Sequence, residues 1–242
     1  MDGKLPGQPE RVLAVGAHPD DLEILCGGTL AKYARQGTKV CMAIATDGSA
    51  GHMLIPPKEL AQIRHTEAQK SADLIGAELY WLGFNDELIF EDIATRLRMM
   101  DTIRAARPDV IMTHDPGDYH PDHRVVSRLV FDASFTSGLP NIKTEHAAHP
   151  DIQPLYYFDT LSGVGFIPSD YVDISETFDT KRRMLECHAS QLKWLEEHHK
   201  TDMFDFIDVM TRSRGLQCGV KYAEGFRPEL AWGRARSYRL LP

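Results

Sequence analysis

Two short segments hold the side chains best suited to bind a metal and move a proton. The first is His18-Pro19-Asp20-Asp21, with Glu23 two residues further on. The second is His120-Pro121-Asp122-His123, inside the run THDPGDYHPDHR. Each sets two possible ligands three residues apart. An imidazole nitrogen and a carboxylate oxygen suit zinc. Asp20 lies between His18 and Asp21, so it can stand beside a metal without being forced to bind it. Either segment alone could be a rigid, capped turn with Asp20 or Asp21 as the cap, or with histidines facing solvent. Two H-P-D segments, each directly after a buried strand, make a pair of coincidental caps the weaker explanation. Two histidines and one carboxylate leave zinc an open position, as catalytic sites do and structural sites do not. Water there becomes acidic, with a pKa of about 7. A nearby carboxylate that is not a ligand can take its proton. A further histidine can donate to an oxyanion or protonate a leaving amine. Those parts fit hydrolysis of an amide or ester.

The elements around these segments predict how they are positioned. RVLAVGA (Arg11 to Ala17), KVCMAIAT (Lys39 to Thr46), Glu78 to Leu82 and DVIMT (Asp109 to Thr113) read as buried strands. Helical patterns follow them, over Glu23 to Arg35, Glu59 to Ile75, Ile93 to Arg107 and Arg124 to Ser134. Continuous apolar strands alternating with helices predict an α/β fold: a Rossmann-like, open, mostly parallel sheet with helices on both faces. Both H-P-D segments then lie at the carboxyl ends of strands, where ligands bind in such sheets. After Ser137 the pattern loosens. Leu155 to Asp159 and Tyr171 to Ile174 read as strands, and Phe178 to Leu195 as one helix. No linker divides the chain, so residues 1–242 read as one domain, a doubly wound core over 1–137 with an extension over 138–242 packed on it.

Composition excludes several classes. With 43% hydrophobic and 26% charged residues the chain is neither disordered nor fibrous. A net charge of −8 argues against nucleic acid as a partner. The apolar runs are strand-length, so no bilayer span is expected. The polar start of the chain carries no signal-type apolar core, which implies a cytoplasmic protein. Cys26, Cys41, Cys187 and Cys218 form no C-x-x-C pair and read as buried free thiols. GSAG at Gly48 to Gly51 is not a serine nucleophile elbow. Gly27-Gly28 lacks the rest of a dinucleotide-binding fingerprint and reads as small residues for close packing.

AHPDDLE, the strand end ATDG and HPDHR together resemble the LmbE-like, PIG-L superfamily of zinc N-deacetylases that act on N-acetylglucosamine-type sugars. The resemblance continues through IRHTEAQKSADLIGA, YVDISETFDTKRRMLECHASQ and YAEGFR, so it covers nearly the whole chain. The later segments look most like the bacterial branch that deacetylates N-acetylglucosaminyl-malate in bacillithiol synthesis. Carried across, the resemblance implies one zinc ion per chain on His18, Asp21 and His123. Asp20 would be the general base, and His120 would stabilise the oxyanion, oriented by Asp122. Arg64 would contact substrate. Some relatives place a second arginine just before the strand at Leu155, where this chain has Gln153-Pro154. The resemblance also implies a homo-oligomer, a trimer or hexamer. A zinc amidase of bacillithiol- or mycothiol-type S-conjugates, or a non-catalytic metal- or sugar-binding protein, would share the same ligands.

Without the resemblance, Arg64 reads as a surface ion pair with Glu67 or Glu59; as the substrate contact that the resemblance implies, its replacement by alanine is expected to lower catalytic efficiency and leave stability nearly unchanged. Asp47 ends a strand at the ligand edge and is a candidate for lining the site. His114 could line the site or end its strand. His188 reads as a core histidine, and His146, His149, His198 and His199 as solvated.

Overall fold

The computed structural model describes residues 8–242. Its seven strands are β1 (Arg11–Gly16), β2 (Lys39–Thr46), β3 (Glu78–Phe84), β4 (Val110–Thr113), β5 (Leu155–Phe158), β6 (Asp170–Asp173) and β7 (Ala223–Pro228). They form one sheet in the order β3-β2-β1-β4-β5-β7-β6. The first five run parallel, and β7 is antiparallel to both β5 and β6. The helices are α1 (Asp21–Leu25), α2 (Gly27–Arg35), α3 (Pro57–Leu74), α4 (Ile93–Ala106), α5 (Pro121–Thr136), α6 (Phe178–Glu186), α7 (Ala189–Trp194) and α8 (Met203–Cys218).

Alternate residues of a strand face opposite sides of its sheet. In β1, Val12 and Ala14 enter one apolar layer with Leu30 and Tyr33 of α2. Leu13 and Val15 enter the other, with Ile103 of α4 and Val126 and Leu129 of α5. Both faces are covered, which is why these strands are apolar throughout rather than alternating. The chain moves outward from β1 to β2 and β3, then crosses back to β4 on the other side. The loops after β1 and β4 therefore flank the point where strand order reverses. Both H-P-D segments leave the sheet at that point.

The C-terminal part differs from the sequence reading. Residues after Ser137 add β5, β6 and β7 to the same sheet rather than packing on its outside. The helix expected over Glu23 to Arg35 breaks at Cys26. The break creates a fresh helix N-terminus, and the buried Glu224 carboxylate sits on it. It accepts the Gly28 and Thr29 N–H groups at 2.9 and 2.7 Å, and Lys181 Nζ donates to it at 2.6 Å. An anion at a helix N-terminus with its counter-charge alongside is a well-compensated buried ion pair. Gly28 is where α2 meets Ile174 so closely that a Cβ would stand 2.7 Å from it, consistent with the packing reading. The helix expected over Phe178 to Leu195 also breaks, at Cys187 and His188. There Glu67 of α3 accepts the Ser190 N–H and Oγ–H at 2.8 and 2.6 Å, capping α7. After Trp194 the coil widens into one π turn over Leu195–His199. All four cysteines are free. Cys26 and Cys41 are buried as expected, but Cys187 is half-buried and Cys218 exposed on its helix.

Candidate active site

A cleft of about 530 Å³ opens at the carboxyl ends of β1, β3 and β4. His18, Asp20, Asp21, Arg64, His120 and His123 all line it, brought together from three separate segments. Neither Asp20 nor Asp21 caps α1 through its side chain. Asp21 instead spans two imidazoles. Its Oδ2 lies 3.3 Å from His18 Nδ1 and its Oδ1 lies 3.3 Å from His123 Nε2. Tetrahedral zinc with bonds of about 2.0–2.1 Å sets its ligand atoms about 3.3–3.4 Å apart, so each pair has a ligand-like separation, through a different Asp21 oxygen. The groupings here compact enough for one ion include His18, His120 and His123, and Asp21, His114 and His123.

The far sides of both rings are held by carboxylates. Asp118 Oδ2 is 3.0 Å from His123 Nδ1. Asp86 Oδ1 and Asp122 Oδ2 are 3.5 and 3.4 Å from His18 Nε2. These contacts lie at ion-pair distance without hydrogen-bond geometry. Metal-binding histidines commonly have a carboxylate on the outer nitrogen, with the inner lone pair left for the ion. Burial opposes charge on His123, but Asp21 and Asp118 overcome it and push its pKa up to about 9. His18 is likewise raised well above its usual value, against burial, by Asp21 and Asp122. The same fields hold Asp21 well below the carboxylate range in spite of its burial. Two cationic rings around a carboxylate mimic the charge a divalent cation would bring.

His114 is fully buried and stacks on His123 with centroids 3.8 Å apart. Burial lowers its pKa to about 4, so it is neutral, and its Nε2 accepts the Ala17 N–H at 2.9 Å. The same nitrogen stands 3.2 Å from Asp21 Oδ2, so His114 braces Asp21 and His123 from behind.

Asp20 occupies a left-handed backbone conformation, φ 112°. Such a conformation costs a non-glycine residue about 1–3 kcal/mol and persists only where neighbours impose it. Arg64 is one of those neighbours, and it corrects the surface reading. It is 2% exposed. Its Nη1 donates to Gly48 O at 3.1 Å and its Nη2 to Pro19 O at 2.5 Å, and Nη2 is 3.5 Å from Asp20 Oδ2. Gly48 has φ +64°, and a Cβ there would stand 2.8 Å from Nη1, so only glycine admits the guanidinium. Arg64 is buried because α3 carries it beneath the β1 and β2 loops, where it ties them together. Burial pushes the Asp20 carboxyl up to about 6, with Arg64 holding it back.

His120 caps α5, its Nδ1 accepting the Asp122 N–H at 3.3 Å. Burial, with His18 and His123 beside it, keeps His120 below its usual pKa and hence neutral at pH 7. With Nδ1 an acceptor, the ring proton sits on Nε2, which faces the cleft. The expected role of Asp122 differs. Its backbone meets His120, but its carboxylate accepts the Glu87 N–H at 3.0 Å and faces His18. Two residues past the cap, its N–H is one of the free donors of the first turn, while its side chain reaches toward β1.

Asp47 lies off the cleft lining, its Oδ1 accepting the Ser49 N–H at 3.0 Å. Asp86, just beyond β3, reaches the site instead, bonded to Thr46 Oγ1 and the Ala50 N–H. Sequence reading passed over Asp86, Glu87 and Asp118. The carboxyl-edge position of Asp86 and Glu87, and the place of Asp118 inside the second motif, were the available signals. His188 is a core residue as expected, 3.1 Å from Glu23 Oε1. His199 is exposed as expected, and it also lines the cleft. His149 is buried, its Nε2 3.0 Å from Pro108 O.

Residues 13–134, which carry both motifs, match the family model described as GlcNAc-PI de-N-acetylase, PIG-L. Diacetylchitobiose deacetylase of Thermococcus kodakarensis is 30% identical over 232 residues, 90% of this chain and 82% of that protein. The structure of N,N'-diacetylchitobiose deacetylase from Pyrococcus horikoshii superposes with a TM-score of 0.81 at 28% identity, covering 94% of this chain and 88% of that one. GalB, the 4-carboxy-2-hydroxymuconate hydratase of Pseudomonas putida, also reaches 0.81, at 22% identity over 95% of this chain and 99% of its own, a likeness of fold. With half the chain inside the family model and a 30% identical relative matched over most of its length, the chain belongs to the PIG-L family of de-N-acetylases.

Proposed function

We propose that the protein is a zinc-dependent N-deacetylase of N-acetylglucosamine-type sugars or sugar conjugates. The observation that carries this reading is the Asp21 carboxylate set 3.3 Å from both His18 Nδ1 and His123 Nε2, beside Asp20 and His120 in one cleft. His18, Asp21 and His123 would hold one zinc ion. When bound, zinc acts as a Lewis acid, making water acidic and polarising an amide carbonyl. Asp20, ionised and buried, accepts the proton of the attacking water. His120 Nε2–H donates to the oxygen that becomes negative as the carbonyl carbon turns tetrahedral. The C–N bond then breaks, the amine takes a proton from the Asp20 carboxyl, and acetate and a free amino sugar leave. Arg64 keeps Asp20 in place through the Pro19 carbonyl. Asp122 and Asp118 aim the ligand rings.

No helix among the described residues is long and apolar enough to cross a membrane. A small-molecule substrate, a cytoplasmic location and a homo-oligomer of three or six chains complete the proposal, without a role for nucleic acid. The test is acetate release from a panel of N-acetylated sugars by the zinc-loaded protein. The panel includes N-acetylglucosamine, diacetylchitobiose, an N-acetylglucosaminyl-inositol and a thiol S-conjugate amide. Acetate from the sugars supports the reading. Cleavage of the S-conjugate alone selects the amidase instead, and zinc uptake without any turnover selects a binding protein.

A further inference from the structure

Glu87 has a left-handed backbone, φ 61°, which L-residues other than asparagine and aspartate seldom adopt. That conformation has a reason of its own, because it aims the Glu87 N–H at Asp122 Oδ2, 3.0 Å away. Glycine would supply the same N–H with less strain. The side chain is therefore what needs an explanation. It is half exposed at the mouth of the cleft, with Oε1 3.3 Å from His120 Nε2. Any substrate whose amide carbonyl reaches His120 passes this carboxylate.

The charge of the remaining wall gives it meaning. Four carboxylates line the cleft, Asp20, Asp21, Asp86 and Glu87, against one permanent cation among the described lining residues, Arg64. Both terminal nitrogens of Arg64 are committed to the Gly48 and Pro19 carbonyls. Its Nε is buried without a hydrogen-bond partner. The charge of Arg64 is shared with these two carbonyls and with Asp20, and even with a divalent ion at the base the four carboxylates leave the lining net negative. The outer wall is apolar or neutral, including Leu161, Leu195, Met203 and Phe206.

We infer that Glu87 is a specificity-determining residue that turns the cleft toward sugars with a neutral or cationic group next to the N-acetylated ring and away from anionic ones. The inference rests on the deacetylase reading, and it runs against the acidic aglycone of the malate-type branch that the later segments resemble.

The experiment compares three phenyl N-acetylglucosaminides, with a plain, a 4-carboxy or a 4-aminomethyl ring, at low ionic strength on the zinc-loaded protein and its Glu87→Gln and Glu87→Gly variants. The readout is the ratio of kcat/KM between substrates, so any common effect of Glu87 on His120 cancels. The wild type is expected to prefer the aminomethyl over the carboxy substrate by on the order of tenfold, the scale of one half-exposed like charge at close range. Both variants should lose most of that preference, and added salt should erode it in the wild type. Turnover of all three substrates with ratios that the variants leave unchanged overturns the assignment of Glu87. A wild-type preference for the carboxy substrate overturns it as well. No acetate from any substrate overturns the deacetylase reading, and this inference with it. A melting temperature at or above wild type for Glu87→Gly confirms that the variant is folded.

Discussion

Asp118 Oδ2 stands 3.0 Å from His123 Nδ1, on the opposite side of the ring from Asp21, which faces Nε2 at 3.3 Å. The charge of Asp118 therefore favours a proton on Nδ1, the tautomer that leaves Nε2 for an ion. A histidine with its proton held at Nδ1 presents the Nε2 lone pair to an ion. Losing such an outer partner usually weakens metal binding by about 10–100-fold. Asp118→Ala should lower zinc affinity by that amount in a competition titration with a chelating dye. An affinity equal to wild type would remove Asp118 from the metal site.

The metal-free site should exchange protons for its ion. Asp21 and the outer carboxylates raise the pKa of both His18 and His123 despite burial, His123 to about 9, so both rings carry a proton at pH 7. Ligands bind in the neutral form. Zinc uptake at pH 7 should release about two protons per ion, and its affinity should rise with pH. Calorimetry in buffers of different ionisation enthalpy counts them, and a count of zero contradicts the proposed ligands. In the metal-free protein the raised His123 pKa stabilises the fold fully below about 6.5. That contribution is lost as pH rises through about 9, so the metal-free melting temperature should fall across this window.

The parallel half of the sheet was legible because burial on both faces leaves an unmistakable apolar run. RVLAVG and KVCMAIAT hold no polar residue between their first and last positions, and they form β1 and β2. The antiparallel end was not. β7 is AEGFRP, with a glycine, a proline and two charges, and its pairing comes from β5 and β6 rather than from its own pattern. α8, also unforeseen, intersperses charged residues with apolar ones around its circumference. At the site, residues within one motif were legible by spacing. Asp86 and the buried setting of Arg64 depend on contacts between distant segments, 16 and 45 residues apart for the two Arg64 hydrogen bonds, and no spacing rule encodes them.

Arg64→Ala should damage both stability and activity. The substitution strands the Gly48 and Pro19 carbonyls and removes the cation beside buried Asp20. Losing one partner of such a buried arrangement typically costs about 2–4 kcal/mol. Urea unfolding should show the loss, together with reduced kcat. A variant with wild-type stability and a raised KM alone would restore the picture of a simple substrate contact.

The last prediction separates the base from the ligands and ties it to Arg64. Asp20→Asn keeps the shape of the side chain but cannot accept a proton, so kcat should fall by about 10²–10⁴-fold while zinc content stays at the wild-type level. His18→Ala, Asp21→Ala and His123→Ala should instead lose the metal. The pH profile gives an independent reading. Burial raises Asp20 to about 6 and the Arg64 charge works against that rise. Catalysis needs the ionised form, so activity should fall as pH drops through the Asp20 pKa. A divalent ion alongside favours the ionised carboxylate, which places the acid limb of the loaded enzyme at or below about 6. Arg64→Gln removes a charge that lowers the Asp20 pKa, so its acid limb should move to higher pH, whereas Arg64→Lys should largely keep the wild-type limb. An acid limb that ignores the charge at position 64 would show that the titrating base is a different carboxylate, and Glu23, paired with His188 behind Asp20, would be the next residue to replace.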